Sequence, residues 1–434
     1  MPTLTIEYQT DAERMAFEQA IAYVQNLNQL AHTAEHGTVL AVCEQLALSG
    51  GRQLLRETLA ATLQTRADTT DAKKKVPGHR RKGRHTRWIL TALGTLRFGR
   101  QYTTTADGGH FLADDTLGID GYVSPAAERM AVFAGTRDSF AHAQHTLREL
   151  CGWHLDDEVI RQLTHAAARR ATAHRETRTD DERMARAPGD LEVAIDAGKV
   201  NTDTGWRDVK LAVFCRRKAG PPVGLDQWKD RTLPTPSVRA VVAAIEEASA
   251  FAGRVRAESD RLNVTTAADL TVLGDGAEWI WNLSAAVVPQ AAGVLDAFHA
   301  IAHVADAVKA IWTEPSAAAE RIATGRRALL GQGKVGIETW IADRFGELPA
   351  GADGEPLIGL ATDLLPHATR REYASRLARG RSIGSGLVEG SIKQFVNRRL
   401  KQTGAKWKVA HVGPLVELAA LIDTPDWNTL WVAA

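Results

Sequence analysis

Two apolar runs in this chain stop at an aspartate, and that ending restricts the fold more than any other feature. Leu191-Glu-Val-Ala-Ile-Asp196 alternates as a half-buried strand does, and Asp269-Leu-Thr-Val-Leu-Gly-Asp275 is a short strand followed by Gly276. Gly293-Val-Leu-Asp296 is a further short strand, with His299 shortly behind it, and Trp206 to Cys215 reads as another. Strands that alternate with helical stretches predict an α/β layer domain between residues 191 and 300. Taken singly, Asp196 or Asp275 fits a loop residue or the cap of the next helix as well as it fits a reactive group at the sheet's end. Gly198 and Gly276, just beyond these acids, are expected to let the backbone turn sharply and a substrate approach closely.

A third acid lies far along the chain, in Arg381-Ser-Ile-Gly-Ser-Gly-Leu-Val-Glu389-Gly-Ser-Ile-Lys-Gln-Phe-Val-Asn-Arg-Arg-Leu-Lys401. Val388, Ile392, Phe395 and Val396 form the apolar stripe of a helix, with Glu389 at its edge and Lys393, Arg398, Arg399 and Lys401 flanking it. Alone, Glu389 reads as the ion-pair partner of Lys393, one helical turn on. With the two strand-end aspartates it completes a set of carboxylates suited to a pair of divalent cations, which phosphodiester chemistry uses to activate one oxygen and stabilise another. Carboxylate oxygens favour magnesium.

The rest of the chain is organised around that core. Residues 1–70 are α-helical in pattern, and residues 71–123 hold a basic arm and a hairpin signature about Gly94 and Gly99. Residues 124–190 are helical, with two helices across Gly152 in the outline of a helix-turn-helix or of an ordinary αα-hairpin. Gly220 to Pro236 reads as a loop and Ser237 to Arg256 as an alanine-rich helix. Residues 301–380 read as a helical insertion broken at Gly331-Gln-Gly333 and from Glu347 to Glu355, and residues 381–434 carry the Glu389 helix and one more apolar helix.

With 53 basic and 52 acidic residues the total charge gives no sign of a nucleic-acid partner, so any basic surface must be local. Lys73, Lys74, Lys75, Arg80, Arg81, Lys82 and Arg84 form an arm that either tracks phosphates or is a solvated linker, disordered until DNA binds. Lys393, Arg398, Arg399, Lys401 and Lys406 stand beside Glu389 and are the stronger candidates for backbone contacts. Trp206, Trp279, Trp281 and Trp407 suit core positions, or stacking on exposed bases. The three cysteines, Cys43, Cys151 and Cys215, are widely spaced, which argues against a disulfide framework or a thiolate zinc site. His79, His85 and His110 do not make up for them. The first residues lack a signal pattern, and no run approaches the roughly 20 apolar residues of a membrane helix, so a cytoplasmic protein without a membrane partner is expected.

The segments Ala194-Ile-Asp196-Ala-Gly with Gly205-Trp-Arg-Asp-Val-Lys210, Gly274-Asp275-Gly-Ala-Glu-Trp-Ile-Trp-Asn282, Leu295-Asp-Ala-Phe-His299, and Gly384-Ser-Gly-Leu-Val-Glu389-Gly with Thr403-Gly-Ala-Lys-Trp407 resemble bacterial insertion-sequence DDE transposases of the ISKra group. The resemblance runs from the N-terminal helices to the end and is most specific at the second and last blocks. It implies an α/β RNase H-like catalytic core with a helical insertion, preceded by mainly α-helical regions. Asp196, Asp275 and Glu389 would form the catalytic and metal-binding triad, with two Mg2+ ions for which Mn2+ can substitute. Asp296 and His299 match an Asp/Cys-x-x-His element shared with Mutator-like transposases and would support the site. The implied partner is double-stranded DNA, both transposon ends and target, bound by a homo-oligomer. The implied reaction is end cleavage followed by strand transfer.

Three departures from the family pattern stand out. Relatives carry a Cys-x-x-Cys zinc knuckle after the first hairpin, whereas Tyr102 to Phe111 has no cysteine, so zinc is not expected. Ala197 follows the first acid in place of glycine, and Ala302 stands where an acid usually precedes the second histidine, here His303. Two alternatives are a catalytically inactive DNA-binding protein or transposition repressor, and an RNase H-like nuclease without strand transfer. The retained acids oppose the first, and the long insertion with its basic helix opposes the second.

Overall fold

The strands expected to carry the acids form side by side, but Asp196, expected at a strand's end, lies in the middle of the strand Asp190–Thr202 because that strand stays paired past it. The computed structural model describes residues 4–8, 10–73, 80–106, 108–178, 181–267 and 269–432, and it divides into two compact units at Thr164. The boundaries expected near residues 70 and 123 fall inside the first unit, and those near 300 and 380 inside the second.

In the first unit, α1 (Asp11–Thr33) and α2 (Val39–Lys73) pair as a hairpin, and α2 covers an antiparallel sheet of β1 (Arg80–Thr91), β2 (Gly94–Thr105) and β3 (Gly108–His110). Leu96 and Phe98 alternate inward and meet Ile89 and Ala67 in a small core. Gly94 closes the β1–β2 turn at φ +108°, a conformation that side chains disfavour, while Gly99 lies within β2 opposite Thr86. The basic arm therefore differs from expectation over its second half. Arg80, Arg81, Lys82 and Arg84 belong to edge strand β1, because Ile89 and Leu90 anchor the strand in buried positions and its outer half is tied to α2. Arg84 pairs with Asp68 at 2.7 Å and Arg81 donates to the Asp71 carbonyl. Lys74 and Lys75 lie outside the described residues, and of Lys73 only its place at the end of α2 is described. Then come α3 (Leu112–Leu117), α4 (Pro125–Arg137), α5 (Phe140–Cys151) and α6 (Asp157–Thr177), which crosses into the second unit. The expected turn after α5 is capped by Gly152 at φ +67°, and Ala131, Leu147, Trp153 and Ile160 pack beneath it.

The second unit continues with α7 (Glu182–Arg186), β4 (Asp190–Thr202), β5 (Gly205–Arg217), β6 (Val238–Ala244), α8 (Ala248–Arg261), β7 (Thr271–Gly274), α9 (Glu278–Val287) and β8 (Ala292–Leu295). Its sheet has the order β6-β5-β4-β7-β8: the first three strands are antiparallel, and β7 and β8 run parallel to β4. The fold is thus α/β with a mixed five-stranded sheet. The helix expected from Ser237 to Arg256 is corrected: Val238 to Ala244 is strand β6, and the helix begins only at Ala248. Val241 and Val242 find partners in Val213 and Ala212 of β5, and β-branched residues on a half-buried edge favour that pairing over a helix.

The insertion is helical as read: α10 (Ala297–Ile311), α11 (Pro315–Gly346), α12 (Glu355–Leu364), a 3-10 segment Leu365–Arg370 and α13 (Tyr373–Ala378). Its breaks fall at Gly333, at φ +53° inside α11, and between α11 and α12. The chain returns through α14 (Gly386–Ile392), a π-helical segment Lys393–Asn397, α15 (Arg398–Leu400), α16 (Val409–Ile422) and α17 (Asp426–Val432). Among the described residues no helix is long and apolar enough to cross a membrane.

Gly198 is also corrected, since it sits within β4 and makes no turn. A Cβ there would fall 2.9 Å from Ile392 Cγ2 and 3.2 Å from Val396 Cγ1, so the glycine lets the Glu389 helix lie on the strand. Gly198→Val should overpack this contact and cost about 1–3 kcal/mol. Urea unfolding measures that loss, and an unshifted midpoint would contradict the packing.

Candidate active site

Register decides which acids meet. In the parallel ladders Ile195 pairs with Gly274, and Gly274 with Leu295. The next residue on each strand is an aspartate, so Asp196, Asp275 and Asp296 stand in one row across three neighbouring strands spaced about 4.8 Å apart. Asp196 is half-buried inside β4, and its Oδ1 accepts from the Ala197 N–H at 2.6 Å. Asp275 leaves β7 and accepts at Oδ1 from the Ala277 N–H at 2.9 Å, while Trp281 Nε1 donates to its carbonyl at 3.0 Å. The turn ahead of α9 is therefore built on Asp275, and among the described residues no donor is bonded to Oδ2 of either acid.

Asp296 is different. It is 1% exposed and both oxygens are occupied: Oδ1 accepts from the N–H groups of Phe298 at 2.7 Å and His299 at 2.9 Å, capping α10, and Oδ2 accepts from Ser385 N–H and Oγ, each at 2.5 Å. Ser385 Oγ, whose one proton goes to the nearer Asp296 oxygen, also lies 3.3 Å from Glu389 Oε1, which is half-buried one turn into the helix. Asp296 thus fixes Ser385 at the start of the helix that carries Glu389. The ion pair of Glu389 with Lys393 does not form among the described residues, and Lys393 is exposed. Ser385 carried no capping signal, since Glu389 stands four residues after it where a capping box needs three, and its side chain caps no helix N–H.

Burial, and then the charges of Asp275, Glu389 and Asp296, push the Asp196 carboxyl up to about 6, against the opposing Ala197 N–H. The charged group nearest along the neighbouring strand, Lys210 opposite Ala197, turns its amine to the Glu246 carbonyl at 2.7 Å and the Trp279 ring. Hard oxygen donors whose charges repel one another suit a divalent cation such as magnesium. Among the described residues no three His, Cys, Asp or Glu side chains are gathered closely enough to hold an ion by themselves. Magnesium needs only one or two carboxylates when waters and substrate phosphates complete its shell.

The basic residues divide. Lys393, Arg398, Lys401 and Lys406 are exposed on and beyond the Glu389 helix, as are Arg80, Arg81, Lys82 and Arg84 in the first unit. Arg399 is corrected: it is 4% exposed and its guanidinium lies 4.9 Å over the Trp407 ring. Arg399 follows Ile392 by seven residues and Val396 by three, the spacing of the apolar stripe itself, so it shares the buried face. Of the tryptophans, Trp281 is buried and Trp206 is exposed.

A cavity of about 680 Å³ opens against Asp275 between α9, α10 and the insertion. On one side His303 bridges His299 (Nε2 to Nε2, 2.9 Å) and Asp363 (Nδ1 to Oδ2, 2.8 Å). On the other, Arg370 Nη1 donates to His367 Nδ1 at 2.7 Å. His367 and Arg370 carried no signal in the sequence, because they reach the site only through the folding of the insertion. No protein-family model matches the chain, and no curated protein matches it.

A carboxyl that holds its proton more tightly folded than unfolded adds stability below its unfolded value of about 4 and loses that contribution as pH rises through about 6. In cation-free protein Asp196→Asn should therefore stabilise the fold by on the order of 2 kcal/mol at pH 7.5 and change it little at pH 4. Chemical unfolding at the two pH values, in a chelator, measures the difference; equal effects at both would contradict it.

Proposed function

We propose that this chain is a DDE transposase with an RNase H-like core, which cleaves the ends of its own mobile element and joins them to target DNA. The row of Asp196, Asp275 and Asp296 across three parallel strands, with the start of the Glu389 helix tied to that row through Ser385, carries this reading. The mixed sheet, with acids in register on neighbouring strands and a helix returning to them after a helical insertion, supports the core assignment.

Asp196, Asp275 and Glu389 would hold Mg2+, or Mn2+ in its place, which when bound activates the attacking oxygen and stabilises the leaving one. Asp296 fixes Ser385 at the start of the helix that carries Glu389, and His299, whose N–H is also held by Asp296, lines the cavity at Asp275. Exposed Lys393, Arg398, Lys401 and Lys406 bind the phosphate backbone of double-stranded DNA, each contact adding salt-dependent affinity. No side chain of this set serves as a covalent nucleophile: water attacks at the element end, and the 3′-hydroxyl it leaves attacks the target. Joining two ends requires a homo-oligomer on the DNA.

Labelled DNA carrying the ends of the encoding element, incubated with the protein and magnesium, should be nicked and then joined to a target plasmid. Glu389→Gln should lower nicking at least about a hundredfold while DNA binding is retained. Binding without any cleavage by the wild type would point to a repressor, and cleavage without joined products to a nuclease.

A further inference from the structure

We propose that the cavity beside Asp275 receives one unpaired nucleobase of the DNA strand held at the acids, which rests on the strand-cleavage reading above. Its volume of about 680 Å³ falls within the roughly 300–1,000 Å³ of small-molecule sites. Asp275 and Gly276 form part of its wall, so whatever enters is adjacent to a phosphate held by Asp275.

The wall offers a built stacking surface. The Arg370 guanidinium lies 4.1 Å over the Trp281 ring, and both residues line the cavity. Three contacts keep it there. His367 Nδ1 accepts from Arg370 Nη1, the Trp281 ring is itself fixed by its hydrogen bond to the Asp275 carbonyl, and the Arg370 side chain crosses β8 at Gly293, where a Cβ would stand 3.1–3.2 Å from Cγ, Cδ and Nε. A guanidinium can only donate, so His367 Nδ1 is the acceptor of this bond. Among the described residues no carboxylate pairs with Arg370. A flat cation held in place without a counter-ion is a stacking partner for a base.

Charge selects the base over other ligands. Asp275, Glu278 and Asp363 face the cavity against the single guanidinium, which disfavours a second phosphate and accepts an uncharged heterocycle. Glu278 and Asn282 can accept hydrogen bonds from the amino groups on a base edge.

The test compares binding of the full chain, by fluorescence anisotropy in calcium, to a duplex with one extrahelical adenosine and to the same duplex with an abasic site there. The wild type should prefer the adenine about tenfold. Arg370→Ala, and Gly293→Val, which displaces Arg370, should reduce the preference to about twofold. Equal affinity for the two duplexes, or binding to neither, overturns the proposal. A photoreactive azido-adenine at the extrahelical position should crosslink within residues 278–282 or 363–370, and crosslinks confined elsewhere overturn it even where a variant fails to fold. The two readings fail separately: undiminished nicking by Glu389→Gln removes the cleavage reading, whereas loss of the base preference beside intact, Glu389-dependent nicking removes the base pocket alone.

Discussion

The buried carboxylate of Asp296 is the contact on which the rest of the second unit's geometry depends. A charge taken out of water costs several kcal/mol unless hydrogen bonds replace its solvation. Asp296 receives four, two from the start of α10 and two from Ser385, 89 residues further along the chain. The Ala297 N–H to the Ile383 carbonyl at 2.9 Å closes the same neck. The insertion therefore leaves and re-enters the core at one point. Glu389, one turn beyond Ser385, is placed by that closure, since the entropy of closing so long a loop has to be met by well-made contacts at its ends.

Small residues then set the distances. Gly198 lets Ile392 and Val396 press onto β4, and Gly274 leaves room for Ile280, whose Cγ2 would stand 2.8 Å from an added Cβ. Each glycine brings a helix bearing on an acid closer to the strand that carries its partner. The π-helical turn after Glu389 acts in the same region. Phe395 and Val396 stay buried across it while Lys393 and Gln394 face outward, and Arg399, three residues after Val396, is turned from solvent with them. The insertion contributes the far wall of the cavity at Asp275, so the part of the chain most remote from the strands in sequence shapes the surface beside the central acid.

Much of this was legible in the residues. Asp196, Asp275 and Asp296 each end an apolar run, and the runs became β4, β7 and β8 because short β-branched segments bounded by glycine or acid have few other stable states. The breaks at Gly333 and beyond α11 were legible for the same local reason. The misread segments depend on partners far away. Val238 to Ala244 is alanine-rich enough to suggest a helix, and it is a strand because the free edge of β5 takes it. Arg80 to Arg87 looks like a charged linker and is a strand because its last residues are anchored beneath α2.

Local propensity and pattern by themselves determined which runs form the acid-bearing strands, where the insertion breaks, and that an acid stands inside a basic helix. Only the tertiary structure decided that Asp296 would be spent on holding Ser385 and the helix start, that Arg399 would be covered by Trp407, and that His367 and Arg370 would line the wall beside Asp275. Those outcomes are set by register between parallel strands and by the closing of an 89-residue excursion, and both are interactions between segments that carry no information about one another until they meet.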